Sequence, residues 1–97
     1  MRTSYLEVTY LHGRPLAAYY YLPHRPGAKS HRCREMGPGL IVDFTRSGKP
    51  IGIEIVDPLH VTATAVNRVL RHLGQEPISR ADFAPLRPRS AELRHTG

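Results

Sequence analysis

The stretch GLIVDFTRSGKPIGIEIVDP, residues 39–58, decides the fold. Leu40, Val42 and Phe44 alternate with Ile41, Asp43 and Thr45, and after a polar RSGK the residues Ile51, Ile53 and Ile55 alternate with Gly52, Glu54 and Val56. Period two is the mark of a half-buried strand, and Ser47-Gly48 between two β-rich runs is a turn signal. An even-length loop, Ser47-Gly48 or Arg46 to Lys49, puts Leu40, Val42 and Phe44 on the face shared with the three isoleucines. In that register Asp43 faces Gly52 and Ile41 faces Glu54. The two carboxylates then share the outer face diagonally, about 7 to 8 Å apart at the backbone.

Upstream, SYLEVTYL (4–11) also alternates, with Leu6, Val8 and Tyr10 on one side, and LAAYYYL (16–22) continues as a second strand. A two-residue loop of Gly13 and Arg14 suits a type II′ turn, because glycine takes the first central position without strain. That loop sets Tyr10 opposite Ala17, Val8 opposite Tyr19 and Leu6 opposite Tyr21, so Tyr19 and Tyr21 are expected in the core and Tyr20 outside. Between the hairpins, residues 23–38 (PHRPGAKSHRCREMGP) hold three prolines and no period, and are read as a long loop. Loops beyond about 12 to 15 residues are usually functional or flexible.

Downstream, TATAVNRVLRHLG predicts a helix, since Val66, Val69, Leu70 and Leu73 recur at i, i+3, i+4, i+7. Thr62 is the expected N-cap, Val61 and Val66 a hydrophobic staple, and Gly74 the stop. A shorter helical turn is expected in SRADF, with Ser79 and Asp82 as a capping box, Ile78 and Phe83 as its staple, and Pro85 ending it. Residues 87–97 have little to bury and read as a mobile tail. Strands followed by a helix imply a single α+β domain over residues 1–86. Its expected frame is an antiparallel four-stranded sheet of two hairpins, with one face packed by the C-terminal helix.

The 97 residues suffice for one modest core. No apolar run approaches the roughly 18 to 20 residues that span a bilayer, and the first residues lack the apolar block of a signal peptide. No membrane partner is expected, and a cytoplasmic protein is. The single Cys33 cannot form an internal disulfide, in keeping with that compartment. The net charge is +6, of which residues 23–36 contribute +3 and residues 86–97 contribute +2. Arg25, Lys29, Arg32 and Arg34 in the long loop are therefore the candidate phosphate contacts of a nucleic-acid-binding accessory, together with the tail.

The catalytic alternatives are each weaker than a plain structural reading. Asp43 and Glu54 have the chemistry to divide acid and base roles, but no nucleophile or oxyanion donor is placed beside them. His24, His31 and Cys33, with His12 or His60 as a fourth ligand, are candidate zinc ligands, yet they lack the tight paired spacing of structural zinc sites and lie among four cations. Cys33 between Arg32 and Arg34 favours thiolate, with His31 as its only nearby base. Three consecutive tyrosines suggest a stacking platform, but alternation splits them between faces. Thr62 to Phe83 suggests helix-turn-helix, with a second element too short for a recognition helix. No phosphate-binding loop or nucleophile-elbow motif occurs. No catalytic, cofactor or metal site is assigned, and a non-enzymatic role is expected. Leu11, Tyr20, Ile41 and Val56 make the outer sheet face rather apolar, which suggests a homodimer or a small protein partner covering it.

The run GLIVDFTRSGKPIGIEIVD resembles the signature of the bacterial domain-of-unknown-function family numbered 2283. There a strand ending in acid is followed by a glycine turn, GIEI and a further acid. Ala17, Ala18 and Tyr19 resemble the family's upstream Tyr strand, and the likeness spans residues 5–58. Leu16 stands where the family commonly has Asp, and the long basic loop is an expansion. The resemblance implies a scaffold more than an activity. It also implies an antitoxin-like or partner-binding role, since some relatives appear beside small toxin-like proteins.

Overall fold

The computed structural model describes residues 3–86. Five strands, β1 (Tyr5–Leu11), β2 (Arg14–Tyr21), β3 (Arg32–Gly37), β4 (Leu40–Phe44) and β5 (Pro50–Ile55), precede helix α1 (Ala63–His72), the short α2 (Arg80–Phe83) and a 3-10 turn (Ala84–Leu86). The strands form one antiparallel sheet in the order β1-β2-β5-β4-β3. The α+β class is as expected, but the sheet has five strands instead of four. Among the described residues no helix is long and apolar enough to cross a membrane. The expected tail, residues 87–97, lies outside the described residues.

The β4–β5 register is the expected one, with Asp43 opposite Gly52 and Ile41 opposite Glu54. It is reached by a different route. The turn closes at Thr45, whose N–H donates to Lys49 O at 2.8 Å, so the loop proper is the odd-length Arg46-Ser47-Gly48. Gly48 has φ +90°, the left-handed residue that follows a type I turn in three-residue hairpins. The ladder then shifts between Asp43 and Phe44, which pairs with Pro50, and the extra residue Ile51 restores the parity. The pull is burial: Val42, Ile53 and Ile55 are inaccessible to solvent and Leu40 nearly so.

The β1–β2 hairpin departs from expectation. His12 and Gly13 both have positive φ, at 52° and 76°, and Leu11 pairs with Arg14. The central pair is thus His12-Gly13 in the manner of a type I′ turn, whose twist suits adjoining strands. A further shift between Thr9 and Tyr10 leaves Leu16 as the extra residue, and Val8 pairs with Ala18, Leu6 with Tyr20. Every β2 side chain beyond the shift therefore points opposite to the expected way. Tyr20, Ala18 and Leu22 are buried, while Tyr19 and Tyr21 stand on the outer face. Leu22 supplies the reason. A one-residue slip would bring it out of the core, at a cost of roughly 1.5 to 3 kcal/mol.

The expected loop 23–38 contains β3, which pairs with β4 from Arg32 opposite Phe44 to Gly37 opposite Leu40. Only Met36 of this strand packs against the core, so no apolar alternation announces it. It forms because β4 offers a free row of backbone donors and acceptors, and its exposed Arg32, Arg34 and Glu35 suit an edge that must not recruit another sheet. Pro38-Gly39 closes the β3–β4 hairpin, with Gly39 at φ +67°.

Helix α1 begins as expected, with Thr62 Oγ1 accepting from Ala65 N at 3.1 Å. It ends in a Schellman motif, Gln75 N to Leu70 O and Gly74 N to Arg71 O, around Gly74 at φ +69°. Ser79 Oγ caps α2 by accepting from Asp82 N at 3.0 Å, and Asn67 Oδ1 accepts from Ile78 N at 2.8 Å to tie the connection back to α1. Val66, Val69, Leu70, Ile78, Phe83 and Leu86 close one side of the sheet. Among the described residues no helix covers the other side.

Candidate functional site

Two rows of residues cross this outer face along the ladder. Tyr5, Tyr21, Gly52, Asp43 and Cys33 form the first, and Glu7, Tyr19, Glu54, Ile41 and Glu35 the second. Together they hold four carboxylates, three tyrosines and no lysine or arginine. This acidic face belongs to a chain of net charge +6.

Tyr19 organises it. It pairs with Glu54 across the ladder and reaches diagonally to donate its hydroxyl to Asp43 Oδ2 at 2.7 Å. The ring crosses the position of Gly52, where a β-carbon would collide with Tyr19 Cε2, Cζ and Oη. Gly52 in GIEI is thus the gap that lets a tyrosine on one neighbouring strand bond a carboxylate on the other. Burial, then the hydrogen bond to Asp43, pushes the Tyr19 hydroxyl well above the usual tyrosine range. Tyr21 stands edge-on to Tyr19 at 4.6 Å between centroids, stacks on Tyr5 at 4.5 Å and donates to Glu7 Oε1 at 3.1 Å. Burial first and the Glu7 contact second raise its pKa as well.

Asp43 accepts a second hydroxyl, from Ser30 Oγ at 3.1 Å on its other oxygen. Both carboxylate oxygens are therefore engaged in holding the sheet and the preceding loop together. Glu54 sits diagonally from it, as the sequence predicts, and is exposed. Cys33 lies opposite Asp43 in the ladder and is exposed, on a strand instead of a loop.

Of the residues expected on the outer face, Ile41 is half-buried in the second row, while Leu11 and Val56 are exposed at strand ends. Tyr20 is corrected: at 2% exposure it belongs to the core, because the Leu16 bulge reversed the parity of β2. Tyr19 and Tyr21, expected in the core, and Glu35, expected in a loop, are members of this face that sequence reasoning missed. Leu22 was the available signal, since it shares parity with Tyr20 and outranks any tyrosine in its demand for burial.

The histidines and the cysteine fall apart. Among the described residues no three His, Cys, Asp or Glu side chains are grouped to hold a metal ion. His60 Nδ1 pairs with Asp57 at 2.9 Å, His24 Nδ1 donates to Leu22 O at 2.6 Å, and His12 sits in the β1–β2 turn.

The four candidate phosphate contacts also separate. Arg32 and Arg34 lie on β3, with Arg32 reaching toward the Gly48 turn, whereas Arg25 and Lys29 remain in the loop. That loop is held at both ends by the β4–β5 hairpin: Leu22 N donates to Ile51 O at 3.0 Å and His31 N to Phe44 O at 2.8 Å. It turns on Pro26-Gly27, with Gly27 at φ +81° and Ala28 N bonded to Arg25 O at 3.1 Å. Loop and hairpin turn enclose an open cavity of about 770 Å³, into which Arg46 and Lys49 enter from the turn opposite Arg25 and Lys29.

No family model, curated protein or solved structure matches the chain. These two features, an acidic tyrosine face and a basic cavity beside it, are the chemistry on which a function can stand.

Proposed function

We propose that this chain is a non-enzymatic protein-association module, antitoxin-like in role, whose outer sheet face engages a basic segment of a partner protein. The carrying observation is the pair of ladder rows that hold Glu7, Glu35, Asp43 and Glu54 with Tyr5, Tyr19 and Tyr21, and no cation. Paired tyrosines offer rigid area at small entropic cost, and carboxylates around them select guanidinium and ammonium groups. Charge complementarity names the occupant, since a second copy would bring its own acidic face against this one. The hydroxyl clamp of Tyr19 and Ser30 on Asp43 preorganises the surface, which lowers the cost of docking.

The test is a titration with a short arginine- and lysine-bearing peptide, followed by the tyrosine fluorescence of the chain. The overall charge of +6 repels such a peptide, so binding must come from the local face. Saturable binding that weakens about tenfold or more in the Glu7→Gln/Glu54→Gln variant is the expected result. Absence of binding, or binding indifferent to these substitutions, overturns the reading.

A further inference from the structure

We infer that the cavity between residues 23–29 and the β4–β5 turn is a binding site for a small phosphorylated organic molecule. Four cationic side chains line it, Arg25 and Lys29 from the loop and Arg46 and Lys49 from the turn, and no carboxylate does. None of the four forms an ion pair with a described carboxylate. Like charges gathered round one concavity repel one another, and an anion entering it relieves that repulsion while gaining charge-assisted hydrogen bonds.

Geometry favours a small ligand over a polynucleotide. The cavity of about 770 Å³ falls within the range of roughly 300 to 1,000 Å³ usual for small-molecule sites. Its cations converge from two segments on one hollow, whereas a polynucleotide is tracked by cations strung along a groove. Pro23, Pro26, Pro50 and Ile51 add apolar wall for the organic part, and the Thr45 and Ser47 hydroxyls stand at the turn.

The site is also built to persist. Hydrogen bonds from Leu22 to Ile51 and from His31 to Phe44 fix the loop ends on the two strands whose turn supplies the other cations. Within the turn, Thr45 Oγ1 accepts from Lys49 N at 3.1 Å and meets Ser47 Oγ at 3.1 Å. Both walls are thereby tied to one hairpin, and the distance between them is set by the sheet. The acidic face proposed for a partner is a separate surface, so either reading can fail without the other.

Calorimetric titration of the full chain with inorganic pyrophosphate at low ionic strength tests the assignment, with a single-stranded oligonucleotide as a second arm. Binding is expected with one site per chain, weakened about tenfold or more in Arg46→Gln/Lys49→Gln. The same loss of two charges from α1, in Arg68→Gln/Arg71→Gln, is expected to leave binding nearly unchanged. All four positions are exposed, so thermal melting should confirm that both variants fold. Absence of pyrophosphate binding overturns the inference, as does an equal loss in the two variants. An oligonucleotide that binds and is not displaced by pyrophosphate overturns it in favour of a polynucleotide surface.

Discussion

Tyr19 occupies the space in which a side chain at Gly52 would stand, and from there its hydroxyl reaches Asp43 at 2.7 Å. Three adjacent strands, β2, β5 and β4, are thus linked by a single side chain laid across a glycine. An alanine at residue 52 would gain slightly from reduced freedom in the unfolded chain, but would force the ring aside and release the Asp43 contact. Gly52→Ala is expected to destabilise the fold by about 1 to 2 kcal/mol. In a Tyr19→Ala background the same change should fall within about 0.5 kcal/mol of neutral or become stabilising. Urea unfolding of the four proteins measures this, and a penalty that persists without Tyr19 would disprove the relationship.

The reversed parity of β2 makes a second prediction. Tyr20→Ala empties a buried position and is expected to cost about 3 to 5 kcal/mol, as truncation of a core aromatic does. Tyr21→Ala removes an outer-face ring stacked on Tyr5 and is expected to cost about 0.5 to 1.5 kcal/mol. Equal losses, or the opposite order, in denaturant unfolding would show that the register with Leu6 opposite Tyr20 is wrong.

Alkaline pH should act through Tyr19. Burial and the Asp43 contact hold its hydroxyl above the ordinary value of about 10. The native chain therefore keeps a proton that the unfolded chain has released, so stability falls as pH rises past about 10, while below that pH this group adds no slope. Tyr19→Phe should flatten the decline and remove the latest step of the spectroscopic tyrosinate titration. A variant that loses stability with pH as steeply as the parent would exclude Tyr19 as the source.

Helix α1 provides a local check on capping. Thr62→Ala leaves the Ala65 N–H without its side-chain acceptor and is expected to cost about 1 kcal/mol. Ser30→Ala, which deletes the loop hydroxyl that donates to Asp43, should cost about 0.5 to 1.5 kcal/mol. Its larger effect should appear as faster amide exchange across residues 23–30. Unchanged exchange there would mean that the backbone bonds of Leu22 and His31 hold the loop alone.

Much of the fold was legible in local pattern. Alternation in residues 40–44 and 51–55 implied one core face, the i, i+3, i+4 stripe implied α1, and Thr62, Gly74 and Ser79 marked the element ends. These signals survive because each is a short-range demand, for burial or for a backbone partner, that the surrounding structure satisfies without modification. β3 was not legible, since a charged edge strand buries almost nothing and exists only because β4 has an open side. The bulges at Leu16 and Ile51 were equally hidden: each inserts one residue to reconcile a favourable turn with a favourable face, and turn and face are separately readable while their compromise is not.

The sequence by itself therefore determined that Asp43 and Glu54 would share the outer side of a hairpin, because a period of two and the burial of Leu40, Val42, Ile53 and Ile55 allow no other arrangement. Only the tertiary structure decided what stands beside them. Tyr19 reached Asp43 because the Leu16 bulge turned β2 over and Gly52 left room for the ring. Arg25 and Lys29 met Arg46 and Lys49 because hydrogen bonds fixed a remote loop on the hairpin that carries them. Both neighbourhoods join residues some twenty positions apart, and such proximity is set by strand order and register, on which the local periodicity of a chain is silent.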